Sequence, residues 1–148
     1  MSSHAPGHHM TARDTYLLER QVGFIMRRVM QRHIAIFSSL IPEMTPTQFA
    51  ALAKLCELGQ ASQNELGRLT SMDVATIKGV VDRLRARGLV EASPLVGDRR
   101  RLLLTPTAAG RELYDALADK ASEVTRRTLA PLDSQEQDRL IKLLDRLV

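Results

Sequence analysis

Aromatic residues and cysteine are scarce in this 148-residue chain. Only 3% of its residues are aromatic and none is tryptophan, although 44% are hydrophobic. A core must therefore be built mainly from Leu, Val, Ile, Ala and Met, which is typical of packed helices. Cys56 is the only cysteine, so neither an intramolecular disulfide nor a metal site made of cysteines alone can form.

Long hydrophobic runs are also missing. No apolar stretch approaches the ~20 residues that a membrane-spanning helix needs, and the N-terminal residues lack the continuous apolar segment of a signal peptide. We therefore expect a cytoplasmic protein with no membrane partner. The length predicts about one domain.

Recognisable catalytic patterns are absent as well. The sequence contains no Ser-His-Asp set, no paired-carboxylate cleft, no glycine-rich phosphate loop and no HExxH-type spacing, so it predicts no enzyme, no cofactor and no metal site. His4, His8 and His9 cluster near the N-terminus. Because residues 1–12 show no periodicity, we interpret them as a disordered tail or a tag remnant rather than as metal ligands.

Positive charge is concentrated in one part of the chain. The net charge is +4, and seven positive and three negative side chains between Lys78 and Arg101 account for all of it. A basic segment on an otherwise neutral chain predicts binding to a polyanion, with nucleic acid as the first candidate. The alternative is a solvated arginine-rich face.

Apolar residues at three- and four-residue steps predict a long helix from Asp14 to about Leu40. They form two neighbouring stripes, which contain Leu18, Val22, Ile25, Val29, Ile36 and Leu40, and Met26, Met30, Ile34, Phe37 and Ile41. A helix with two apolar faces packs against its own domain on one side and against a partner on the other. We therefore expect a homodimer.

Helix caps predict three short helices after the long one. The sequences TPTQ and SQNE fit capping boxes and predict helices over 45–59 and 62–70. Asp73 caps a third helix, which ends at Gly88.

Strand-compatible segments follow, and then two further helices. LVEASPLV and RRLLLT predict a β-hairpin with arginines at its tip. Thr105 or Thr107 caps a long fifth helix, with Pro106 able to occupy the first helical position. Asp133 and Glu136 form the capping box of a sixth helix.

The run 73–113 resembles the MarR family of multiple-antibiotic-resistance-type regulators. The resemblance rests on VDRL followed by RGLV, on DRR at the hairpin tip and on Thr-Ala-Ala-Gly at the start of the next helix. Two positions depart from the family pattern: Pro106 stands where the family often has Leu, and Ala92 stands where a basic residue is common. These departures affect the fine shape of the hairpin.

The resemblance implies a mainly α fold with a small β-hairpin, as a single domain over 13–148. A winged helix-turn-helix lobe spans 45–106, and the helices at 14–41 and 107–148 are dimerisation elements. The short helix capped by Asp73 has the width of the major groove, and the hairpin, or wing, carries arginines suited to the minor groove. The implied partners are a second copy of the chain and double-stranded DNA, in a pseudo-palindromic operator with half-sites about 10 base pairs apart.

The resemblance also implies which residues contact DNA. On the third short helix, the recognition helix, they are Asp73, Ala75, Thr76, Lys78 and Gly79. On the wing they are Arg99 in the minor groove, Asp98 as the residue that holds the arginines, and Arg100 or Arg101 on the DNA backbone. At the start of the preceding helix, phosphate contacts come from Ser62, Gln63 and Asn64. Ala75 and Thr76 can instead be no more than a first helical turn.

Members of the family commonly bind a small aromatic or phenolic acid between the dimerisation helices and the DNA-binding lobe. The candidate ligand contacts in this chain are Phe24, Arg28, Arg32, His33 and Phe49. Other interpretations stay open. His33 can be a hydrogen-bonded interfacial histidine, the arginines can be solvated, and the phenylalanines can belong to the core.

The sequence therefore predicts a homodimeric repressor of a catabolic or of a stress or efflux operon, released from DNA by a small aromatic or phenolic acid. The alternatives are a ligand-blind and a redox-responsive DNA-binding regulator. For the redox-responsive one the sensor is Cys56, which at its mid-helix position can equally be a buried, inert thiol.

Overall fold

The computed structural model describes residues 12–148, except for the side chains of Ala12, Asp14 and Arg99. The predictions for residues 1–11, including those for the three N-terminal histidines, lie outside the described residues. Seven α-helices and three strands make up the described chain, together with a 3-10 turn at Leu18–Arg20. They are α1 Ala12–Thr15, α2 Val22–Leu40, α3 Pro46–Leu58, β1 Ala61–Ser62, α4 Gln63–Leu69, α5 Val74–Ala86, β2 Val90–Leu95, β3 Asp98–Pro106, α6 Ala108–Leu129 and α7 Ser134–Asp145.

The fold class predicted from the sequence is confirmed, because the described chain is mainly helical with one small antiparallel sheet. The strand order is β1-β3-β2, so β3 is the central strand. The hairpin β2–β3 was predicted, whereas β1 was not. A two-residue strand is too short for alternation to reveal it, and its position depends on pairing with β3 about forty residues later.

The prediction of one helix from Asp14 to Leu40 is wrong before residue 22. Leu17 and Gln21 have extended backbone angles on either side of the 3-10 turn, and α2 begins at Val22. The Gln21 side-chain amide donates a hydrogen bond to the Leu17 carbonyl at 3.0 Å. This side-chain bond satisfies the Leu17 carbonyl without a continuous helix. The spacing of apolar residues cannot reveal such a bond.

Packing divides the described chain into two compact units, the first ending at Arg32 and the second spanning His33–Val148, and the division falls within α2. In the first unit, several large apolar side chains of α2 are between 44% and 66% exposed. They are Val22, Ile25, Met26, Val29 and Met30.

The second unit contains the described core. Its fully buried side chains are Ile41, Leu52, Leu55, Leu66, Ile77, Val81, Leu84 and Leu104. They come from the residue that follows α2, from α3, α4 and α5, and from β3, so Leu104 of the central strand belongs to the same core as the three helices. Burial of this kind stabilises the lobe by about 1.5–3 kcal/mol for each large side chain.

Several predicted helix starts are confirmed in atomic detail. Thr45 and Gln48 form the reciprocal capping box of α3, with Pro46 in its first turn. Asp133 and Glu136 do the same for α7. At α4 only one of the two bonds of the predicted capping box is present. The Ser62 hydroxyl accepts from the backbone N–H of Glu65 at 3.2 Å, but the Ser62 backbone belongs to β1.

The sequence predicted either Thr105 or Thr107 as the cap of α6. Thr107 is the cap: its hydroxyl accepts from the N–H of Gly110 at 3.1 Å and donates to the Gly88 carbonyl at 2.6 Å. The expectation that Pro106 can occupy the first helical position is wrong, because Pro106 ends β3 opposite Val90. Proline fits the end of a strand, where no further ladder bond is needed from its nitrogen.

Candidate functional site

A tight connection joins α4 to α5. The N–H of Met72 donates to the carbonyl of Gly67 at 2.9 Å, and Ser71 has a positive φ of 55°. A Cβ on Gly67 would lie 3.0 Å from Cγ2 of Ile77, so the two helices approach closely where they cross. This packing holds α5 in one orientation and makes the pair a helix-turn-helix.

The two sides of α5 differ in burial. One side contributes the buried residues Ile77, Val80, Val81 and Leu84. The other side leaves the predicted DNA contacts Asp73, Ala75, Thr76 and Lys78 exposed, and Gly79 partly exposed. The first turn of α5 is therefore open to a partner while the rest of the helix is anchored in the core.

Asp73 caps α5 and carries charge at its start. Its Oδ1 accepts a hydrogen bond from the N–H of Thr76 at 2.7 Å. This bond to the Thr76 backbone, with further bonds to the Thr76 side chain and the Ala75 backbone, lowers the pKa of the Asp73 carboxyl. The carboxylate thus offsets part of the positive end of the helix dipole.

Lys78 is partnered within its own helix. Its Nζ lies 2.9 Å from Oδ2 of Asp82, and this hydrogen bond is the main reason why the pKa of Asp82 is lowered. The pair is well exposed, so its strength is small. A phosphate could therefore compete with Asp82 for Lys78 at little cost.

The wing has an irregular register at its arginines. Pro94 pairs with Leu102, but Leu95 pairs with Asp98, so residues 99–101 have no opposite residue in β2. Pro94 has no N–H to offer the ladder, and bulges are common where a strand contains proline. Within the bulge, the three consecutive arginines need not follow the regular alternation of residues between the two faces of the sheet. Pro94 is the sequence signal that could have indicated it.

Asp98 lies at the start of this bulge. Its Oδ1 accepts from the backbone N–H of Arg100 at 3.0 Å, and its Oδ2 lies 3.9 Å from Nε of Arg101. The predicted role of Asp98 in holding the wing arginines is consistent with both contacts, of which the backbone hydrogen bond is the stronger. The side chain of Arg99 lies outside the described residues.

Two predicted segments meet although they are far apart in the sequence. Pairing of β1 with β3 places Ser62 opposite Leu103. As a result, the start of α4 and two of the wing arginines, Arg100 and Arg101, line one notch of about 230 Å³. Its lining residues are Ser62, Gln63, Asn64, Arg100, Arg101 and Leu102. Guanidinium groups and small polar side chains on one concave surface are suited to an anion such as a phosphate.

A second cavity, of about 410 Å³, lies in the second unit. It is lined by His33 and Phe37 of α2, by Phe49 and Ala53 of α3, and by one face of α6. The α6 residues are Tyr114, Ala118, Ala121, Ser122, Val124 and Thr125. Apolar walls with a few polar groups are typical of sites for small molecules, and the volume is in the usual range.

Aromatic rings line one side of this cavity. The ring centroids of Phe37 and Phe49 are 6.2 Å apart in an edge-on arrangement, and those of Phe49 and Tyr114 are 6.0 Å apart. His33 also lines the cavity, and its Nδ1 lies 2.8 Å from the hydroxyl oxygen of Thr128. The cavity therefore combines aromatic surface with an imidazole.

Of the candidate ligand contacts, the structure brings His33 and Phe49 together in this cavity. Phe24, Arg28 and Arg32 belong to the first unit, where the guanidinium carbon of Arg28 lies 5.8 Å from the centroid of the Phe24 ring. Their role in binding stays a prediction.

Sequence reasoning missed Tyr114 and Thr128. Both lie on α6 at helical spacing from its buried residues Leu117 and Val124. That spacing was the available signal, but it could not show that this face meets His33.

Cys56 is half-buried on α3. Burial raises the pKa of its thiol, and the opposing effect of nearby Arg111 is smaller. A raised pKa keeps the thiol protonated and poorly reactive at neutral pH.

Two further findings concern the described residues as a whole. Among their side chains, no group of three or more His, Cys, Asp or Glu is arranged to hold a metal ion. None of the helices within 12–148 is long and apolar enough to cross a membrane.

Comparisons with known proteins agree with this geometry. The model of the MarR family matches residues 44–102. The HTH-type transcriptional repressor NicR of Pseudomonas putida is 38% identical over 135 residues, which cover 90% of this chain and 85% of NicR.

Two solved structures are similar over most of the chain. A probable transcriptional regulator from Pseudomonas aeruginosa is 50% identical with a TM-score of 0.86, over 89% of this chain and 100% of that one. BpsR of Bordetella bronchiseptica, whose DNA binding is regulated by 6-hydroxynicotinic acid, is 36% identical with a TM-score of 0.86, over 89% of this chain and 96% of BpsR.

Proposed function

We propose, because the chain belongs to the MarR family of transcriptional regulators, that it acts as a homodimeric repressor whose release from DNA is controlled by a small aromatic acid. One observation carries the DNA-binding part of the proposal. Arg100 and Arg101 of the wing and the polar start of α4 line a single notch, in the same lobe as the exposed first turn of α5.

In this proposal α5 enters the major groove. Its exposed first turn presents Asp73, Ala75, Thr76, Lys78 and Gly79 to base edges and nearby phosphates. The notch residues Ser62, Gln63, Asn64, Arg100 and Arg101 bind the phosphate backbone. Arg99, whose backbone lies in the wing bulge, reaches the minor groove, where negative potential attracts arginine.

The partner in the dimer is a second copy of this chain. Apolar side chains of α2 are exposed in the first unit, and Ile141, Leu143, Leu144 and Leu147 at the C-terminal end are between 43% and 70% exposed in the second. Contiguous apolar surface favours association when another such surface can cover it. A two-fold dimer also matches a pseudo-palindromic operator.

The effector site in this proposal is the cavity between α2, α3 and α6 that contains His33 and Phe49. Its aromatic walls suit a flat ring. NicR is named a repressor and BpsR responds to 6-hydroxynicotinic acid, which supports a hydroxylated aromatic acid as the effector class. An effector of this class favours a catabolic operon over a stress or efflux operon.

Titration of operator DNA at several salt concentrations tests the DNA-binding part. If Arg99→Ala removes one positively charged phosphate or groove contact from each subunit, the slope of log affinity against log salt should decrease by about 1.8, since each lost contact contributes about 0.9. Arg126→Ala is the matched control, because Arg126 pairs with Glu123 on α6. Equal slopes for the wild type and Arg99→Ala would reject the role of Arg99, and failure of the wild type to bind its own upstream DNA at low salt would reject the proposed function.

Sedimentation tests the dimer. Leu144→Glu places a charge on the exposed apolar side of α7, so we expect a monomer that binds the operator weakly. Gln135→Glu adds the same charge to an exposed position of the same helix and should remain dimeric. A wild-type monomer that binds DNA with full affinity would contradict the dimer.

Thermal unfolding in the presence of aromatic acids tests the effector. A specific ligand at one hundred times its Kd should stabilise the protein by about 2.7 kcal/mol and release it from the operator. Phe49→Ala should lose both responses while still binding DNA. A panel of hydroxylated aromatic acids that changes neither stability nor DNA binding would favour the ligand-blind alternative.

A further inference from the structure

The hydroxyl group of Thr128 contacts both the His33 ring and the carbonyl group of Val124. This hydroxyl lies 2.8 Å from the carbonyl oxygen of Val124, to which it donates. A hydroxyl group has a single hydrogen and two lone pairs, so in this arrangement its oxygen can only accept from a further partner.

Nδ1 of His33 lies 2.8 Å from the same oxygen. Two lone pairs facing each other at that distance would repel, so Nδ1 carries the hydrogen and donates it to Thr128. A neutral imidazole has one N–H, and its other nitrogen is then an acceptor. Within the described residues, Nε2 of His33 has no hydrogen-bond partner.

His33 also lines the aromatic cavity, so its ring lies within reach of an occupant of that cavity. We propose that Thr128 is a positioning residue that holds His33 as the Nδ1–H tautomer, and that Nε2 accepts a hydrogen bond from a ring O–H or N–H donor on the aromatic effector. This inference rests on the proposed function, since it concerns the effector of the same cavity.

The consequence is a chemical preference among aromatic acids. An acid with a ring donor satisfies Nε2 and stacks on the walls formed by Phe49 and Tyr114, whereas its analogue without the donor leaves the nitrogen unpaired in a half-buried site. One net hydrogen bond corresponds to a preference of about tenfold in Kd. The carboxylate of the effector has no part in this discrimination, because both acids carry it.

The first measurement uses the ligand-free protein. Long-range proton–nitrogen NMR correlations distinguish protonated from unprotonated ring nitrogens, and a spectrum of His33→Gln identifies the signals of His33 among those of the four histidines. We expect protonated Nδ1 in the wild type and in Thr128→Ser, which retains the hydroxyl. In Thr128→Val, which replaces it with a methyl group, protonation should shift towards Nε2. An Nε2-protonated wild type would overturn the proposal, even if Thr128→Val failed to fold.

The second measurement compares 4-hydroxybenzoic acid with benzoic acid by calorimetry. The wild type and Thr128→Ser should prefer the hydroxylated acid by about tenfold, and Thr128→Val should lose most of that preference. If both acids bind the wild type equally while Nδ1 is protonated, the proposed donor recognition is wrong although the cavity is an aromatic-acid site. If no acid of the wider hydroxylated panel binds, the proposed effector class itself is wrong, and the donor recognition with it.

Discussion

Gly110, in the first turn of α6, lies so close to Leu89 that a Cβ at this position would overlap the Leu89 carbonyl oxygen and lie 3.1 Å from the carbonyl carbon. The same oxygen accepts a hydrogen bond from the N–H of Thr107 at 3.0 Å. The start of α6 is therefore fastened to the residue that precedes β2. Any side chain at position 110 has to push α6 away from the wing.

Gly110→Ala should lower stability for this reason. Forcing a methyl group against a backbone carbonyl costs about 1–3 kcal/mol, which thermal unfolding will detect as a lower Tm. Gly79→Ala is the matched control: its added Cβ would lie 3.3 Å from the flexible end of Arg83, and the better helix propensity of alanine should keep stability unchanged or raise it by up to about 1 kcal/mol. A Tm of Gly110→Ala equal to that of the wild type would contradict the close contact.

In the proposed complex with DNA, we expect the acceptor oxygen of Asp98 to matter more than its charge. Asp98→Asn retains an oxygen for the N–H of Arg100 and removes a negative charge that repels phosphate, so it should bind operator DNA at least as tightly as the wild type. Asp98→Ala loses the acceptor as well and should bind about three- to tenfold more weakly than Asp98→Asn. Fluorescence anisotropy at two salt concentrations measures the difference. Equal affinities of the two variants would show that the hydrogen bond does not order the wing.

The cap of α5 should make part of the stability depend on pH. The pKa of Asp73 is lowered in the folded protein, first by its hydrogen bond from the Thr76 backbone. The contribution of the carboxylate is therefore present above the ordinary aspartate pKa of about 3.9 and is lost as the pH falls through the lowered folded value.

Asp73→Asn measures this contribution, because asparagine caps helices but does not titrate. We expect the wild type to lose Tm relative to Asp73→Asn between pH 6 and pH 2.5, since the other carboxylates titrate in both proteins and cancel. A Tm difference that stays constant over this range would exclude a charged cap at Asp73.

Cys56 should be dispensable for DNA binding. Burial keeps its thiol protonated at neutral pH, so alkylation by iodoacetamide should be slow compared with that of a free thiol. The operator affinity of Cys56→Ser should lie within about twofold of the wild type. The redox-responsive alternative would instead be supported if mild peroxide treatment abolished DNA binding of the wild type but not of Cys56→Ser.

Features that depend on a few neighbouring residues could be predicted from the sequence. The caps at Thr45, Asp73 and Asp133 each join a side chain to a backbone N–H three residues later, and the residue types suffice to indicate them. The buried side of α5 follows from three- and four-residue spacing in the same way. The break before Val22 was missed because it lies in the backbone of residues whose apolar spacing continues unchanged.

The sequence by itself determined the class of fold, most helix boundaries and the residues of the basic wing, because short-range hydrogen bonds and periodic burial are encoded within one or two helical turns. Only the tertiary structure decided that Ser62 meets Arg100 in one notch and that His33 meets Thr128, 95 residues further along the chain. Such pairs depend on how helices and strands pack against one another. The interaction free energy of such a pair depends on the distance between its atoms in space, which the spacing of the two residues along the chain does not specify.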